Sequence, residues 1–210
     1  MKHLFTLLFL LPLIGFSQSE LEKQLDSIST PEQAQIFLKK NKPKKGKLFT
    51  FNKAKHKTRL ADELFSMAKG GKKVIKTDFK KTFYKVIDKA DVDYAKFRII
   101  EFKAASTSDE EAISRRKKVL SQYMQGYRFK DLAKHNSEGS TAKMGGDTGW
   151  IKEGEMPEAF DAVAFKENHP LDEAFMADDT EHKIYYLIVK TEPITLIEEV
   201  TVLKFTEAIE

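Results

Sequence analysis

Residues 145–165 read GGDTGWIKEGEMPEAFDAVAF, and the fold of the chain is decided by how this run is understood. Gly145, Gly146 and Gly149 admit positive φ and a close approach of backbone, so the segment reads as a tight loop feeding a short strand. Pro157 stands where a first helical residue belongs, and Phe160, Val163 and Ala164 follow at helical spacing. Met156 and Phe160 are four apart and share one face at the mouth of that helix. An adaptable thioether beside a rigid ring suits an apolar ligand socket. The same residues also suit ordinary core packing.

Outward from this run the pattern stays definite. Phe97 to Phe102 reads as a strand, and Ser108-Asp109-Glu110-Glu111 is a capping box that opens a helix through Ile113, Leu120 and Tyr123 to Gly126. Phe129, Leu132 and Ala133 mark a short helix before the glycine loop. Glu173–Ala177 and Ile184–Lys190 close the unit as strands, the second so continuously apolar that it should be central and covered on both faces. The order strand, helices, strand, helix, strand, strand specifies an α+β fold, a sheet with helices packed around it. Ile197 to Phe205 adds a further strand or docks on the preceding region.

This pattern resembles the parvulin-type peptidyl-prolyl cis-trans isomerases. The resemblance covers about half the chain, roughly Asp93 to Pro193, and is carried by Phe129-Lys130-Asp131-Leu132-Ala133, Ser137, Gly145-Gly146-Asp147-Thr148-Gly149-Trp150, Met156, Phe160 and Phe165. It implies a parvulin-like antiparallel sheet flanked by helices over 92–193. It also implies that Met156 and Phe160 grip a substrate proline ring, with Thr148 where the family usually has a leucine. Three polar positions depart from the family together: Arg98 and Tyr186 stand where strand histidines are common, and Gly139 where cysteine or aspartate is usual. Arg98 and Tyr186 still donate hydrogen bonds from strands and are the candidate catalytic residues; the alternative is that Arg98 is a surface charge and Tyr186 a packed core aromatic with its hydroxyl at the edge. The reaction asks only that an amide barrier of about 20 kcal/mol be lowered, and needs no nucleophile, metal or cofactor.

Elsewhere the chain shows its setting. Residues 1–17 have a short basic start (Lys2, His3), the apolar run Leu4 to Phe16, and small residues at Gly15 and Ser17, as a signal peptide cleaved near Gln18 would. The run is too short for a membrane span. With no cysteine there is neither a lipidated cysteine nor a disulfide framework. His135, His169 and His182 lack ligand spacing, and Asp172, Glu173, Asp178, Asp179 and Glu181 lack a calcium-loop pattern, so no metal is expected.

Residues 18–91 read as a basic, partly helical accessory region, and 194–210 as a C-terminal strand or tail. Thr30-Pro31-Glu32-Gln33 opens a helix to about Asn41, Lys42–Lys47 breaks it, and a second helix runs from Thr58 to Ala68. Thr77 to Ile87 looks extended, with a poor period. From Lys39 to Lys85 there are 17 Lys+Arg against 3 Asp+Glu, whereas Val86 to Glu210 has 17 against 25. Such a block meets acidic protein segments or serves as a solvated face. Export argues against nucleic acid, and no recognised nucleic-acid fold is present. Two functions follow: an exported isomerase assisting the folding of secreted or envelope proteins, periplasmic or extracellular, or a weakly active or inactive chaperone that binds unfolded, proline-containing chains. The oligomeric state stays open.

Overall fold

A computed structural model describes residues 20–105 and 107–209; the expected leader, residues 1–17, lies outside them. The elements in chain order are α1 (Glu20–Asp26), α2 (Pro31–Asn41), β1 (Lys44–Asn52), α3 (Arg59–Ser66), β2 (Lys72–Thr77), β3 (Lys80–Lys103), α4 (Asp109–Met124), α5 (Phe129–Asn136), β4 (Asp147–Ile151), α6 (Glu158–Ala164), β5 (Ala174–Asp179) and β6 (Ile184–Ala208). The strands follow the path β1-β6-β3-β2, with β4 added on β3 and β5 on β6. This is the expected α+β class.

The chain forms two compact units, each discontinuous in sequence. One gathers the residues up to Phe49, Ala68–Asp88 and the stretch from Val202; the other gathers Thr50–Met67 and Lys89–Thr201. The long strands β3 and β6 supply residues to both.

In the first unit, Leu25, Ile28, Ala34, Phe37, Phe83, Ile87, Leu203 and Phe205 form the core. Phe83 and Phe205 stack at 4.8 Å, with Phe37 tilted against Phe205 at 5.4 Å. Thr30 caps α2 by accepting the Gln33 N–H at 3.3 Å, as its sequence predicts. The expected break at Lys42–Lys47 is shorter than anticipated. Lys42 ends α2 in the left-handed region (φ 44°), and β1 begins at Lys44 because pairing with β6 overrides the Lys/Pro/Gly composition. The poor period of Thr77–Ile87 has a similar cause. It covers the turn of the β2–β3 hairpin, where Thr77 pairs with Lys80, and β2 lies at the end of the sheet path with nearly every side chain exposed.

In the second unit β3 and β6 divide two clusters by their alternation. Ile100, Phe102, Tyr185, Leu187 and Val189 pack with Ala112 and Val119 of α4 and with Phe129, Leu132 and Ala133 of α5. Ala95, Phe97, Ile99, Tyr186 and Ile188 face the other way, against Phe160 and Ala164 of α6. Strands covered on both faces read as unbroken apolar runs, which accounts for the Ile184–Val189 pattern. The further strand expected at Ile197–Phe205 is the continuation of β6.

Candidate functional site

The site is built from α6, the glycine loop and the β3 and β6 residues that face α6. Phe160 is fully buried, with its ring edge-on to Phe97 (5.6 Å) and to Tyr186 (5.5 Å). Phe165 and Phe175 meet Phe97 in the same manner at 5.5 and 6.5 Å. Edge-to-face aromatic contacts of this kind fix ring orientation as well as burying area. Met156, half-buried at the entry to α6, packs against this cluster. The sequence places Met156 and Phe160 together, and the structure does the same; only Met156 reaches solvent.

Asp161 anchors the approach to Met156. Its carboxylate, 5% exposed, accepts the Gly154 N–H at 2.7 Å, which ties the turn before Met156 to the underside of α6. The second carboxylate oxygen is buried without a hydrogen-bond partner among the described residues. Burial therefore pushes the Asp161 carboxyl above the ordinary carboxylate range. Pattern reading did not single this residue out, because one Asp on a short helix looks like any solvated charge.

Thr148 is engaged with backbone through its hydroxyl. Its hydroxyl accepts the Phe97 N–H at 3.1 Å and lies 3.2 Å from the Phe97 carbonyl and 2.8 Å from the Gly149 carbonyl. The pairing of β3 with β4 explains why. Lys96 is opposite Trp150 and Arg98 opposite Asp147, so Thr148 and Gly149 together face Phe97 in a β-bulge. Gly149 supplies the positive φ (64°) the bulge needs, and the threonine side chain satisfies backbone that the interrupted ladder leaves over.

The two candidate catalytic residues lie on opposite faces of the sheet. Phe97 and Ile99 point toward α6, so Arg98 between them points away. Its guanidinium donates to the Gly145 carbonyl at 2.8 Å and stands 3.8 Å from Asp147, holding the glycine loop on the edge of β3. Gly146 meets the same edge, where its carbonyl accepts the Ile99 N–H at 2.9 Å and an added Cβ would collide with Ile99 backbone. Arg98 is thus a support of the loop, and it does not share a floor with Tyr186.

Tyr186 does face the Phe160 cluster. Burial, and then the negative charges of Glu101 and Asp179, push its hydroxyl up to about 12, so it remains a hydrogen-bond donor throughout the neutral range. Glu101, two residues beyond Ile99 on β3, is a polar residue that shares this face by strand parity, as Lys103 at the strand's end does. Its identity was available in the sequence: counting by two from Phe97 gives Ile99 and Glu101, and an acid interrupting that alternation is a signal.

Other features lie apart from this arrangement. A groove of about 490 Å³ on the flank of α6 is lined by Pro157, Glu158, Ala159, Ala162 and Asp178–His182, and holds none of the five expected site residues. Among the described residues no group of three or more His, Cys, Asp or Glu is arranged to hold a metal ion, and His169 stacks on the Phe175 ring at 3.7 Å. No described helix is long and apolar enough to cross a membrane.

The chain is similar to the foldase protein PrsA of Bacillus subtilis (strain 168), 44% identical over 69 residues, which are 32% of this chain and 22% of that protein. It is similar to the chaperone SurA of Hahella chejuensis, 47% identical over 57 residues, 27% of this chain and 13% of that one. It therefore spans less than a quarter of the length of these relatives. Among solved structures, PrsA from Bacillus subtilis aligns with a TM-score of 0.40 at 30% identity, covering 49% of this chain and 36% of the other. A PpiC-type peptidyl-prolyl cis-trans isomerase domain aligns with a TM-score of 0.44 at 22% identity, covering 49% and 92%. The sequence profile of the PPIC-type PPIase domain matches residues 81–188, half of the chain, and the chain belongs to that family of peptidyl-prolyl cis-trans isomerases.

Proposed function

We propose that this protein is an exported isomerase that assists the folding of secreted or envelope proteins, with residues 1–17 as its leader and residues 92–193 carrying the parvulin-like site. The observation that supports the site most directly is the edge-on packing of Phe160 between Phe97 and Tyr186, with Met156 half-exposed against the cluster. A proline ring enters beside Met156, whose unbranched side chain shifts to admit it, and rests on the aromatic cluster. Rotation about the prolyl bond breaks amide resonance and leaves a twisted amide with a more basic nitrogen. A Tyr186 hydroxyl that stays protonated, in a site with little water, donates to that geometry more strongly than to the planar amide.

A second reading is favoured by one observation: the Arg98 guanidinium is engaged with the Gly145 carbonyl on the other side of the sheet, which leaves the α6 side with fewer donors than the sequence promised. On that reading the protein holds proline-containing chains and isomerises them weakly. Exchange rates of short X-Pro peptides, measured by NMR with and without the protein, separate the two. Acceleration well above the uncatalysed rate supports the isomerase; saturable binding with no acceleration supports the chaperone. Mass spectrometry of the exported chain tests the leader, with a start near Gln18 expected and retention of the apolar run contradicting it.

A further inference from the structure

Glu101 is held in place with unusual thoroughness for a strand carboxylate. Its backbone N–H donates to Ser137 Oγ at 3.1 Å and its carbonyl accepts the Glu138 N–H at 2.9 Å, so the segment after α5 is laid along β3 at this residue. That segment turns at Gly139, whose N–H also donates to Ser137 Oγ, at 3.3 Å. A methyl group added at Gly139 would overlap the Glu101 carboxylate. The carboxylate therefore fills the space that a side chain at 139 would occupy, and its side chain is only 13% exposed.

The charges around it leave it partly uncompensated. Lys103 Nζ stands 3.6 Å away on a side chain that is 42% exposed, which solvent screens. Glu138, next to Gly139, is paired with Arg115 at 2.7 Å. Asp179 accepts from the His182 backbone N–H at 3.1 Å and contacts its ring nitrogen at 2.8 Å. By strand parity Glu101 faces the side of the sheet where Phe160 and Tyr186 lie.

We propose that Glu101 is a specificity-determining residue of the proline site, favouring peptides with lysine or arginine beside the proline and disfavouring aspartate, glutamate or a phosphorylated residue there. The proposal rests on the reading of this face as a site for proline-containing chains. A carboxylate fixed in a poorly hydrated wall acts on a neighbouring ligand charge through less water than a surface charge does, and Tyr186, being neutral, does not offset it. Because Glu101 is positioned by Ser137 and by the empty side of Gly139, the preference depends on both.

The test compares Lys-Pro, Ala-Pro and Glu-Pro peptides of otherwise identical sequence, on the full mature chain, reading both kcat/KM and equilibrium binding. Lys-Pro should exceed Glu-Pro by about fivefold at low ionic strength, with the ratio shrinking as salt rises. In Glu101→Gln, which keeps the shape, the ratio should fall toward one. In Gly139→Ala, which displaces the carboxylate without removing it, the ratio should fall in part. Binding that is equal for Lys-Pro and Glu-Pro in the parent, or a ratio that survives in Glu101→Gln, overturns the proposal. If no peptide is accelerated but Lys-Pro still binds more tightly, the specificity assignment stands and the isomerase reading fails.

Discussion

Truncating Phe160 separates what this ring does for the fold from what it does for a ligand. The side chain is 0% exposed and makes edge-on contacts with Phe97 and Tyr186 at 5.6 and 5.5 Å. Phe160→Ala should therefore destabilise the protein by about 3–5 kcal/mol, the cost of emptying a filled aromatic site. That is a large share of the roughly 5–15 kcal/mol available to a domain, so a loss of peptide binding in this variant would not by itself identify a socket. Met156, half-buried at the cluster's edge, is the cleaner probe of the ligand: Met156→Ala should weaken X-Pro binding by about 1–2 kcal/mol while costing the fold less than Phe160→Ala. Urea titrations followed by the single tryptophan, Trp150 on β4, give the stabilities, and peptide titrations below the transition give the affinities. A cost under about 1 kcal/mol for Phe160→Ala would mean that the ring is not packed as described. A Met156→Ala protein that binds peptides as the parent does would mean that Met156 does not touch the ligand.

Three further outcomes follow from the local geometry. Thr148→Val keeps the side-chain shape but removes the acceptor of the Phe97 N–H, and should cost about 1–2 kcal/mol with faster hydrogen exchange at that amide; unchanged exchange would mean the bulge does not depend on the hydroxyl. Gly146→Ala should be far more damaging than Gly149→Ala. Both have positive φ, but only at Gly146 would the new Cβ strike backbone, whereas Gly149 has open space, so the second should cost only about 1 kcal/mol in a thermal-melt comparison. Asp161, with its carboxyl raised by burial, holds its proton in the folded state to higher pH than when unfolded, so its contribution is most favourable below the ordinary carboxylate range and is lost as pH rises through the raised value. Asp161→Asn should accordingly match the parent near pH ~4 and be the more stable near pH ~7; the opposite order of urea midpoints would mean the charged form is the better accommodated one.

Much of the fold was legible because it is written in local signals. The caps at Thr30, Thr58 and Ser108 each accept a backbone N–H at the helix start their sequences announce. The apolar run Ile184–Val189 is buried on both faces of the sheet for the reason its composition implies. What escaped was non-local. β1 forms in a Lys/Pro/Gly stretch because it has β6 to pair with, and Thr50–Met67 joins the compact unit of Lys89–Thr201. In that unit Lys89 donates to the Phe65 carbonyl at 2.7 Å at the end of α3, a contact no periodicity foretells. Among the expected site residues, Met156, Phe160 and Tyr186 pack in one cluster, whereas Arg98 points away from it by the alternation of β3 and the Thr148 hydroxyl is engaged in a bulge. Counting parity along β3 from Phe97 puts Glu101, and not Arg98, on the Phe160 side of the strand; the bulge, set by how β4 meets β3, has no comparable mark in the sequence.

On the proposed mechanism the α6 face isomerises prolyl bonds, and Tyr186 acts on the twisted amide. Two-dimensional NMR exchange on an Ala-Pro peptide, with the full mature chain and with Tyr186→Phe, measures that most directly. The parent should accelerate exchange well above the uncatalysed rate, and Tyr186→Phe should show a clear fall in rate with peptide affinity nearly intact, as befits an interaction made mainly in the transition state. A parent that leaves the exchange at its uncatalysed rate, or a Tyr186→Phe protein that exchanges the peptide as fast as the parent, would contradict that mechanism.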